Sequence, residues 1–217
     1  MYRLHGFCQS GNTFKVAFAL RALKQPWEPV FVDFMNGATR RPEWRAEANE
    51  MGEVPVLDDD SGDGARRLTQ SAVILTYLAK KHGALGGKDE DEQREVLRWL
   101  FFDNHKFTSH FATMRFMKSF MPVAPEPAVM AFLRGRLDAS FAIVDKHLAG
   151  REFMVGAGPT VVDLSLCGYL YYPTAESGYE IAPRFPNIAA WLTRVRALDG
   201  WADPYDILPG ERIAPKW

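Results

Sequence analysis

The chain has 217 residues, of which 47% are hydrophobic and 24% charged, as in an ordinary soluble globular protein. Its formal net charge of −1 gives no field that would attract nucleic acid, so we expect no nucleic-acid partner. Two cysteines, Cys8 and Cys167, are too few for a disulfide framework and fit a reducing compartment. Because no signal peptide and no apolar run of ~18 residues is visible, we expect a cytoplasmic protein without membrane contact.

The first third of the chain alternates short apolar stretches with helical periodicity, which predicts a small mixed sheet with helices on its faces. The predicted strands are Tyr2–Leu4, Trp27–Phe34, Val54–Leu57 and Arg66–Thr69. We expect the second strand to be buried, and the last two to form a hairpin around a turn rich in Asp and Gly. The predicted helices are Phe14–Leu23, Pro42–Glu50 and Ser71–His82. Ser71 is expected to be the N-cap of the third helix.

A glycine-rich, charged stretch separates this region from a second half that has helical periodicity almost throughout. In this stretch Lys88 is followed by Asp89 rather than by a hydroxyl residue, which excludes a phosphate-binding loop. We expect an α/β domain at residues 1–83, a linker at 84–91 and an all-helical domain with a C-terminal tail at 92–217. The helices predicted in the second domain are Glu92–Phe120, Pro127–Leu148, Val161–Tyr171 and Ile188–Ala197.

Four motifs, in this order and spacing, resemble the cytosolic glutathione transferases. They are GEVPVL at Gly52–Leu57, TQSAVILTYL at Thr69–Leu78, PTVVDLSL at Pro159–Leu166 and FPNIAAWLTRV at Phe185–Val195. The resemblance covers nearly the whole chain. It implies a thioredoxin-like N-terminal domain with a mixed four-stranded sheet, an all-helical C-terminal domain and a homodimer. It also implies a transferase that uses glutathione as co-substrate and activates its thiol for attack on a small apolar electrophile or a disulfide.

The resemblance implies a glutathione site around Pro55 and at the start of the third helix. In the family the bond matching Val54–Pro55 is cis, and the main chain of the residue matching Val54 pairs with the cysteinyl part of glutathione as an added strand. The residues matching Gln70 and Ser71 hold the γ-glutamyl group at a helix N-terminus. Family members most commonly carry Glu at the first position, so Gln70 lacks the charge that would pair with the ammonium group of glutathione.

A basic stretch, TRRPEWR at Thr39–Arg45, matches a region that family members often use for the glycyl carboxylate of glutathione. Arg40 or Arg41 fits this role, and a solvated helix start explains the same charges equally well. The Asn-Pro pair that usually precedes the proline motif appears here as Asn49-Glu50.

The loop GFCQSGNTFKV at Gly6–Val16 is where a thioredoxin-like domain stabilises a thiolate, through the helix end and a hydroxyl or amide donor. Ser10 matches the catalytic hydroxyl of serine-type members. Cys8 matches the thiol of cysteine-type and omega-like members, which favours thiol transfer through a mixed disulfide. Gly11 occupies the resolving position and excludes a two-cysteine oxidoreductase. Asn12, or the residue after it, supplies a secondary donor or only caps the helix. We rank Ser10 first, Cys8 second and Asn12 third.

Other polar residues are predicted to be structural. No metal site is expected, because His105 and His110 lie five residues apart, off one helix face, and no zinc-binding motif occurs. Thr160 and Asp163 have the spacing of a capping box, which predicts that this carboxylate serves a helix start rather than a reaction.

The sequence thus supports a glutathione transferase, with one alternative of a different class. The alternative is a non-catalytic protein-binding module of the same fold, such as a regulator of translation, of stress responses or of cell-division filaments. Gln70 and Glu50, which replace the usual acid and proline, keep this alternative open. So does the tail Asp203–Trp217, which either packs back on the domain or docks a protein partner.

Overall fold

The computed structural model describes residues 1–62 and 64–217 and packs them into two compact units. The first unit contains Met1–Ala84 and Leu198–Arg212, and the second contains Leu85–Ala197 and Ile213–Trp217. The domain boundaries drawn from the sequence stay a prediction, but the segment Leu198–Arg212, here called the C-terminal strap, packs with the first unit. It does so because its main chain bonds to the loop that follows the first strand.

Strands occur in the first unit and helices in both. The strands are β1 (Tyr2–Gly6), β2 (Trp27–Phe31), β3 (Val56–Asp59) and β4 (Arg66–Thr69). The α-helices in chain order are α1 (Gly11–Ala22), α2 (Pro42–Glu47), α3 (Ser71–His82), α4 (Glu90–Phe102), α5 (Thr108–Ser119), α6 (Pro127–Leu148), α7 (Val161–Leu166), α8 (Thr174–Ser177), α9 (Pro186–Arg196) and α10 (Pro204–Ile207). None of the helices in the described parts of the chain is both long and apolar enough to cross a bilayer.

The four strands form one mixed sheet in the order β2-β1-β3-β4. β1 runs parallel to β2 and antiparallel to β3, and β3 runs antiparallel to β4. Together with the helical second unit, this sheet confirms the expected fold class. The prediction of a buried strand at Trp27–Phe34 is wrong, because β2 lies at the sheet edge and leaves Phe31 54% exposed. Pro29, which has no N–H to donate, suits an edge strand.

Helix α1 is the centre of the first unit and packs against both β1 and α3. Phe14 and Phe18 are fully buried on it. The helix begins three residues earlier than predicted, because Ser10 rather than a later residue forms its N-cap. Gly6 permits the close approach of α1 to the sheet, since a Cβ atom at this position would lie 2.3 Å from the side chain of Thr13.

The predicted β3–β4 hairpin is present, and a buried carboxylate ties it to β1. Asp58 accepts two hydrogen bonds from Arg67, at 2.6 and 2.9 Å, and lies 2.8 Å from Nε2 of His5. The bonds from Arg67, against the opposing effect of burial and with help from His5, lower the pKa of Asp58 from 3.8 to about 2. Asp63, in the predicted turn, lies outside the described residues.

The second unit consists of helices, and the single helix predicted at Glu92–Phe120 is wrong in one place. A π-helical turn at Asp103–Phe107 separates α4 from α5. Asp103, which is 1% exposed, accepts bonds from the main-chain N–H of Thr108 at 3.2 Å and from Oγ of Ser165 at 2.6 Å. These bonds hold the wider turn, in which the helix accommodates one extra residue.

The capping box at the start of α7 is confirmed. Thr160 and Asp163 satisfy each other's main-chain donors, and the Asp163 carboxylate also accepts a bond from Nε1 of Trp191 at 2.9 Å. Burial raises the pKa of Asp163. The helix is shorter than predicted, because the chain continues as a 3₁₀ turn at Cys167–Tyr169.

The second unit also buries an ion pair. The side chains of Arg115 and Glu176 are 2% and 1% exposed, and two guanidinium nitrogens bond Oε2 of Glu176 at 2.9 and 2.5 Å. The guanidinium carbon lies 3.8 Å from the ring centre of Tyr172, and Oγ of Ser119 donates to the main-chain oxygen of Glu176. Both charges therefore have partners inside the unit.

Candidate functional site

The predicted site residues other than Arg41 lie near the end of the sheet where β1 stops and β3 starts. β1 ends at Gly6 and β3 begins at Val56, and the register pairs His5 with Val56. The loop after β1, which carries Cys8 and Ser10, therefore leaves the sheet beside the loop that enters β3. The start of α3 adjoins the second loop, as the contacts of Gln70 described below show.

Ser10 forms the N-cap of α1. Its Oγ atom accepts the main-chain N–H of Thr13 at 3.1 Å, and the residue is 5% exposed. Among the described residues none accepts the hydroxyl hydrogen of Ser10, which leaves that hydrogen for a ligand. Asn12 is the second residue of the helix and is partly exposed, so it does not cap α1.

Cys8 is fully buried beneath the C-terminal strap. Its main-chain N–H donates to the oxygen of Pro209 at 2.8 Å, and its Sγ atom lies 3.6 Å from the oxygen of Glu211. The side-chain amide of Gln9 donates to that same oxygen of Glu211. Main-chain oxygens of the strap therefore accept the hydrogen bonds that Cys8 and Gln9 donate.

The strap depends on a glycine that the sequence analysis did not single out. Gly210 has a φ of +114°, and a Cβ atom there would lie 3.1 Å from a ring carbon of Phe31 and 3.4 Å from Sγ of Cys8. The Pro209-Gly210 dipeptide was the available signal, since such pairs mark turns. It predicts a turn, but not what the turn contacts.

The peptide bond between Val54 and Pro55 is cis, as predicted. Within residues 1–62 and 64–217, no residue bonds the main-chain N–H or C=O of Val54. The preceding loop is held by Asn49, whose side chain donates to the oxygen of Glu53 at 3.0 Å and accepts the N–H of Met51 at 3.0 Å. Asn49 thereby fixes the approach to Val54 without the proline that usually follows it.

Gln70, not Ser71, is the N-cap of α3, so that prediction is wrong. Gln70 has a φ of +67°, and its side chain makes no capping hydrogen bond. Ser71 is the first helical residue and is 9% exposed. The first three N–H groups of α3 have no acceptor within the helix, so they are available to an anion. A non-glycine residue with positive φ is uncommon and occurs often at binding sites.

Arg41 makes no hydrogen bond or ion pair with the other predicted site residues that the structure describes. It is exposed at the N-cap of α2, and the structure gives its side chain no hydrogen bond or ion pair with any described residue. Its neighbour Arg40 is also exposed. Arg45, which the sequence analysis did not assign, donates to the oxygen of Glu50 at 2.9 Å and braces the loop before Val54.

A metal centre is not assembled by the parts of the chain that the structure describes, because no three His, Cys, Asp or Glu side chains converge as ligands.

Known proteins resemble this chain over both units. Residues 4–88 match the family described as "Glutathione S-transferase, N-terminal domain", and residues 127–194 match "Glutathione S-transferase, C-terminal domain". The structure of a glutathione S-transferase from Xanthobacter autotrophicus is 31% identical, with a TM-score of 0.83 over 95% of this chain and 98% of that one. Glutathione S-transferase 3 of Zea mays is 26% identical over 90% of this chain and 89% of its own length.

A further structure shares the fold and carries a ligand. It is a glutathione transferase from Burkholderia graminis with two glutathione molecules bound per subunit, 22% identical, with a TM-score of 0.83 over 94% of this chain and 87% of that one. At this identity the likeness concerns the fold alone. The matches to both family domains and the 31% identity over nearly the full length lead to one conclusion: this chain belongs to the cytosolic glutathione transferase family.

Proposed function

We propose that the chain is a glutathione transferase in which Ser10 activates the thiol of glutathione for attack on a small apolar electrophile. The observation that carries this proposal is the geometry of Ser10. Its oxygen is fixed by the N–H of Thr13, while its hydroxyl hydrogen stays available at the N-terminus of α1. A free thiol ionises near pH ~8.5, and a hydroxyl that donates to sulfur at a helix N-terminus favours the thiolate at neutral pH.

The proposed glutathione lies along the edge where β1 ends and β3 begins. Its cysteinyl part pairs with the unpartnered main chain of Val54, next to Pro55, as an added strand. Its γ-glutamyl carboxylate binds the free N–H groups at Ser71, beside Gln70. The exposed side chain of Arg41 is our candidate for the glycyl carboxylate. The bound glutathione of the Burkholderia graminis relative supports this choice of ligand.

We rank Ser10 above Cys8 because the two side chains differ in their hydrogen bonds. The thiol of Cys8 is fully buried and directed at the oxygen of Glu211, whereas Ser10 retains a free hydroxyl hydrogen. Conjugation of electrophiles therefore fits the site better than thiol transfer through a mixed disulfide of Cys8. Asn12, partly exposed on the first turn of α1, is the proposed secondary donor.

The test combines binding and turnover. Isothermal titration of the full chain with glutathione is expected to show saturable binding, and conjugation of an aryl halide is expected to persist in Cys8→Ala but to fall sharply in Ser10→Ala. The same variants are measured with a mixed-disulfide substrate. If turnover survives in Ser10→Ala and disappears in Cys8→Ala, Cys8 rather than Ser10 is the catalytic residue. No binding at millimolar glutathione would refute the proposal.

The second candidate is a non-catalytic binding module. The C-terminal strap favours it, because main-chain oxygens of the strap accept the hydrogen bonds of Cys8 and Gln9, and these donors are then not offered to a ligand. The strap itself is not a free docking segment, because Asp203–Arg212 packs within the first unit. Saturable glutathione binding without turnover of aryl halides, disulfides or peroxides would favour this candidate.

We further propose that the chain acts in the cytoplasm as a homodimer. Neither of its two cysteines takes part in a disulfide, which suits a reducing compartment. Apolar side chains are exposed on α3 and α4, where Val73, Leu97 and Phe101 are 52%, 49% and 74% exposed. Sedimentation equilibrium is expected to give twice the chain mass, and Phe101→Glu is expected to shift it toward the monomer.

A further inference from the structure

Gln70 directs its amide nitrogen at the loop before Val54. Its Nε2 atom lies 2.9 Å from Oε2 of Glu53 and 2.9 Å from Sδ of Met51. An amide nitrogen has two N–H groups, so these two contacts account for both of them. The polar atom of Gln70 that remains for a ligand is its uncharged carbonyl oxygen.

The same contact brings a carboxylate to the start of α3. Glu53 is exposed, and its main chain is held by the bond from the side chain of Asn49 to its oxygen. Gln70 is the residue that bonds the Glu53 carboxylate in the described parts of the chain. The carboxylate therefore has a defined direction while keeping further lone pairs open to solvent or to a ligand.

An amino-acid head group needs two opposite charges bound side by side. The free N–H groups of α3 favour its carboxylate, and the first turn of α3 has no acidic residue of its own. An ammonium group bound next to them needs acceptors, preferably with negative charge. Glu53 and the carbonyl oxygen of Gln70 are such acceptors, and they lie next to each other.

We propose that Glu53 supplies the carboxylate that binds the α-ammonium group of the γ-glutamyl residue of glutathione. Gln70 holds Glu53 in place and adds its own carbonyl oxygen to the ammonium group. Glu53 thus supplies the negative charge that Gln70 lacks. It directly precedes Val54, whose main chain pairs with the cysteinyl part of glutathione. This inference rests on the proposed glutathione site and identifies what selects the free α-amino group there.

The test compares glutathione with glutaryl-cysteinyl-glycine, an analogue that lacks only the α-amino group. Titration calorimetry is carried out on the unmodified chain, on Glu53→Gln and on Glu50→Gln. Glu50 is the matched control, because it is an exposed carboxylate of the same loop whose side chain has no partner among the described residues. We expect the unmodified chain and Glu50→Gln to bind glutathione about fivefold more tightly than the analogue, as an exposed ion pair would give.

In Glu53→Gln we expect this preference to disappear, with about fivefold weaker binding of glutathione and unchanged binding of the analogue. The double variant Glu53→Gln, Gln70→Glu returns a carboxylate to the same place and is expected to restore the preference. If Glu53→Gln still discriminates as the unmodified chain does, Glu53 is not the ammonium ligand, although the glutathione site stands. If the unmodified chain binds neither compound, the proposed function fails and this inference fails with it.

Discussion

The Sγ atom of Cys8 lies 3.6 Å from the main-chain oxygen of Glu211, a residue more than two hundred positions away in the sequence. The contact is part of a bridge, because the N–H of Cys8 also bonds the oxygen of Pro209. A hydrogen bond that a thiol donates to a carbonyl oxygen favours the protonated thiol, because a carbonyl oxygen has no hydrogen to offer a thiolate. The strap therefore covers Cys8, whereas the hydroxyl hydrogen of Ser10 has no acceptor among the described residues.

The first prediction is that loosening the strap makes Cys8 reactive. Gly210→Ala places a side chain 3.1 Å from Phe31 at a φ that disfavours any residue with a Cβ atom. We expect iodoacetamide to modify Cys8 about tenfold faster in this variant, because the left-handed conformation costs a side chain roughly 1–2 kcal/mol. Peptide mapping by mass spectrometry measures the modification at each cysteine.

Two controls belong to this experiment. Gly83→Ala introduces the same kind of backbone penalty at a φ of +64°, but nothing lies within 4 Å of the added Cβ atom. It is expected to leave Cys8 unreactive. Cys167, buried in the second unit, reports general unfolding. Equal labelling of Cys8 in all variants would contradict the covering role of the strap.

The sequence predicted those parts of the structure that have local signals. The β3–β4 hairpin, the capping box of Thr160 and Asp163 and the proline motif each depend on residues a few positions apart, so their pattern is visible in the chain. The bounds of α3 were predicted correctly, but its N-cap is Gln70 rather than Ser71, and α1 begins three residues earlier than predicted because Ser10 forms its N-cap.

Contacts between distant segments were not predictable in the same way. The strap over Cys8 and the turn held by Asp103 and Ser165 join residues that nothing in the local pattern connects. The pairing of Gln70 with Glu53 is of the same kind, since two polar residues in separate loops carry no periodicity. The sequence shows that position 70 lacks the usual charge, and only the structure shows that Gln70 bonds the Glu53 carboxylate.

The second prediction separates the two roles of Ser10. Ser10→Ala removes the cap of α1 and the proposed donor to sulfur, so we expect about 1 kcal/mol lower stability and about a hundredfold slower conjugation. Ser10→Asp keeps an acceptor for the N–H of Thr13 but has no hydrogen to donate at neutral pH. It is expected to regain stability without regaining activity. Urea unfolding measures the stability, and the rate of aryl halide conjugation measures the activity. Recovery of activity in Ser10→Asp would refute the donor role.

The third prediction concerns the pH dependence of stability. The folded-state pKa of Asp58, at about 2, lies below its ordinary value of 3.8, because Arg67 bonds the carboxylate. The ionised Asp58 therefore stabilises the folded state fully above the unfolded-state pKa, and this stabilisation is lost as the pH falls through the folded-state pKa. Asp58→Asn is expected to lower the free energy of unfolding by about 2 kcal/mol at neutral pH and by less near pH ~3.

Asp60 is the control for this prediction. It pairs with Arg3 at 2.6 Å, but both side chains are substantially exposed. Asp60→Asn is expected to change the free energy of unfolding by less than ~0.5 kcal/mol at either pH. Urea titrations measure both variants. A loss in Asp58→Asn that does not shrink on acidification would show that Asp58 acts through its shape rather than through its charge.

The fourth prediction concerns the buried pair of the second unit. Glu176→Gln removes the carboxylate that pairs with the buried guanidinium of Arg115, and we expect it to lower the free energy of unfolding by roughly 3–5 kcal/mol. Glu95→Gln removes the exposed partner of Arg98 and is expected to cost less than ~0.5 kcal/mol. Both losses are measured by urea unfolding, followed by circular dichroism.

A double variant distinguishes an unpaired charge from lost packing. Arg115→Met with Glu176→Leu removes both charges and keeps apolar bulk against Tyr172, which lies 3.8 Å from the guanidinium carbon. We expect it to recover most of the stability lost in Glu176→Gln, since well-packed apolar replacements of a buried ion pair are often neutral or stabilising. If the double variant is as unstable as Glu176→Gln, the loss comes instead from the remaining contacts of this region, such as the bond from Ser119 to the main chain of residue 176.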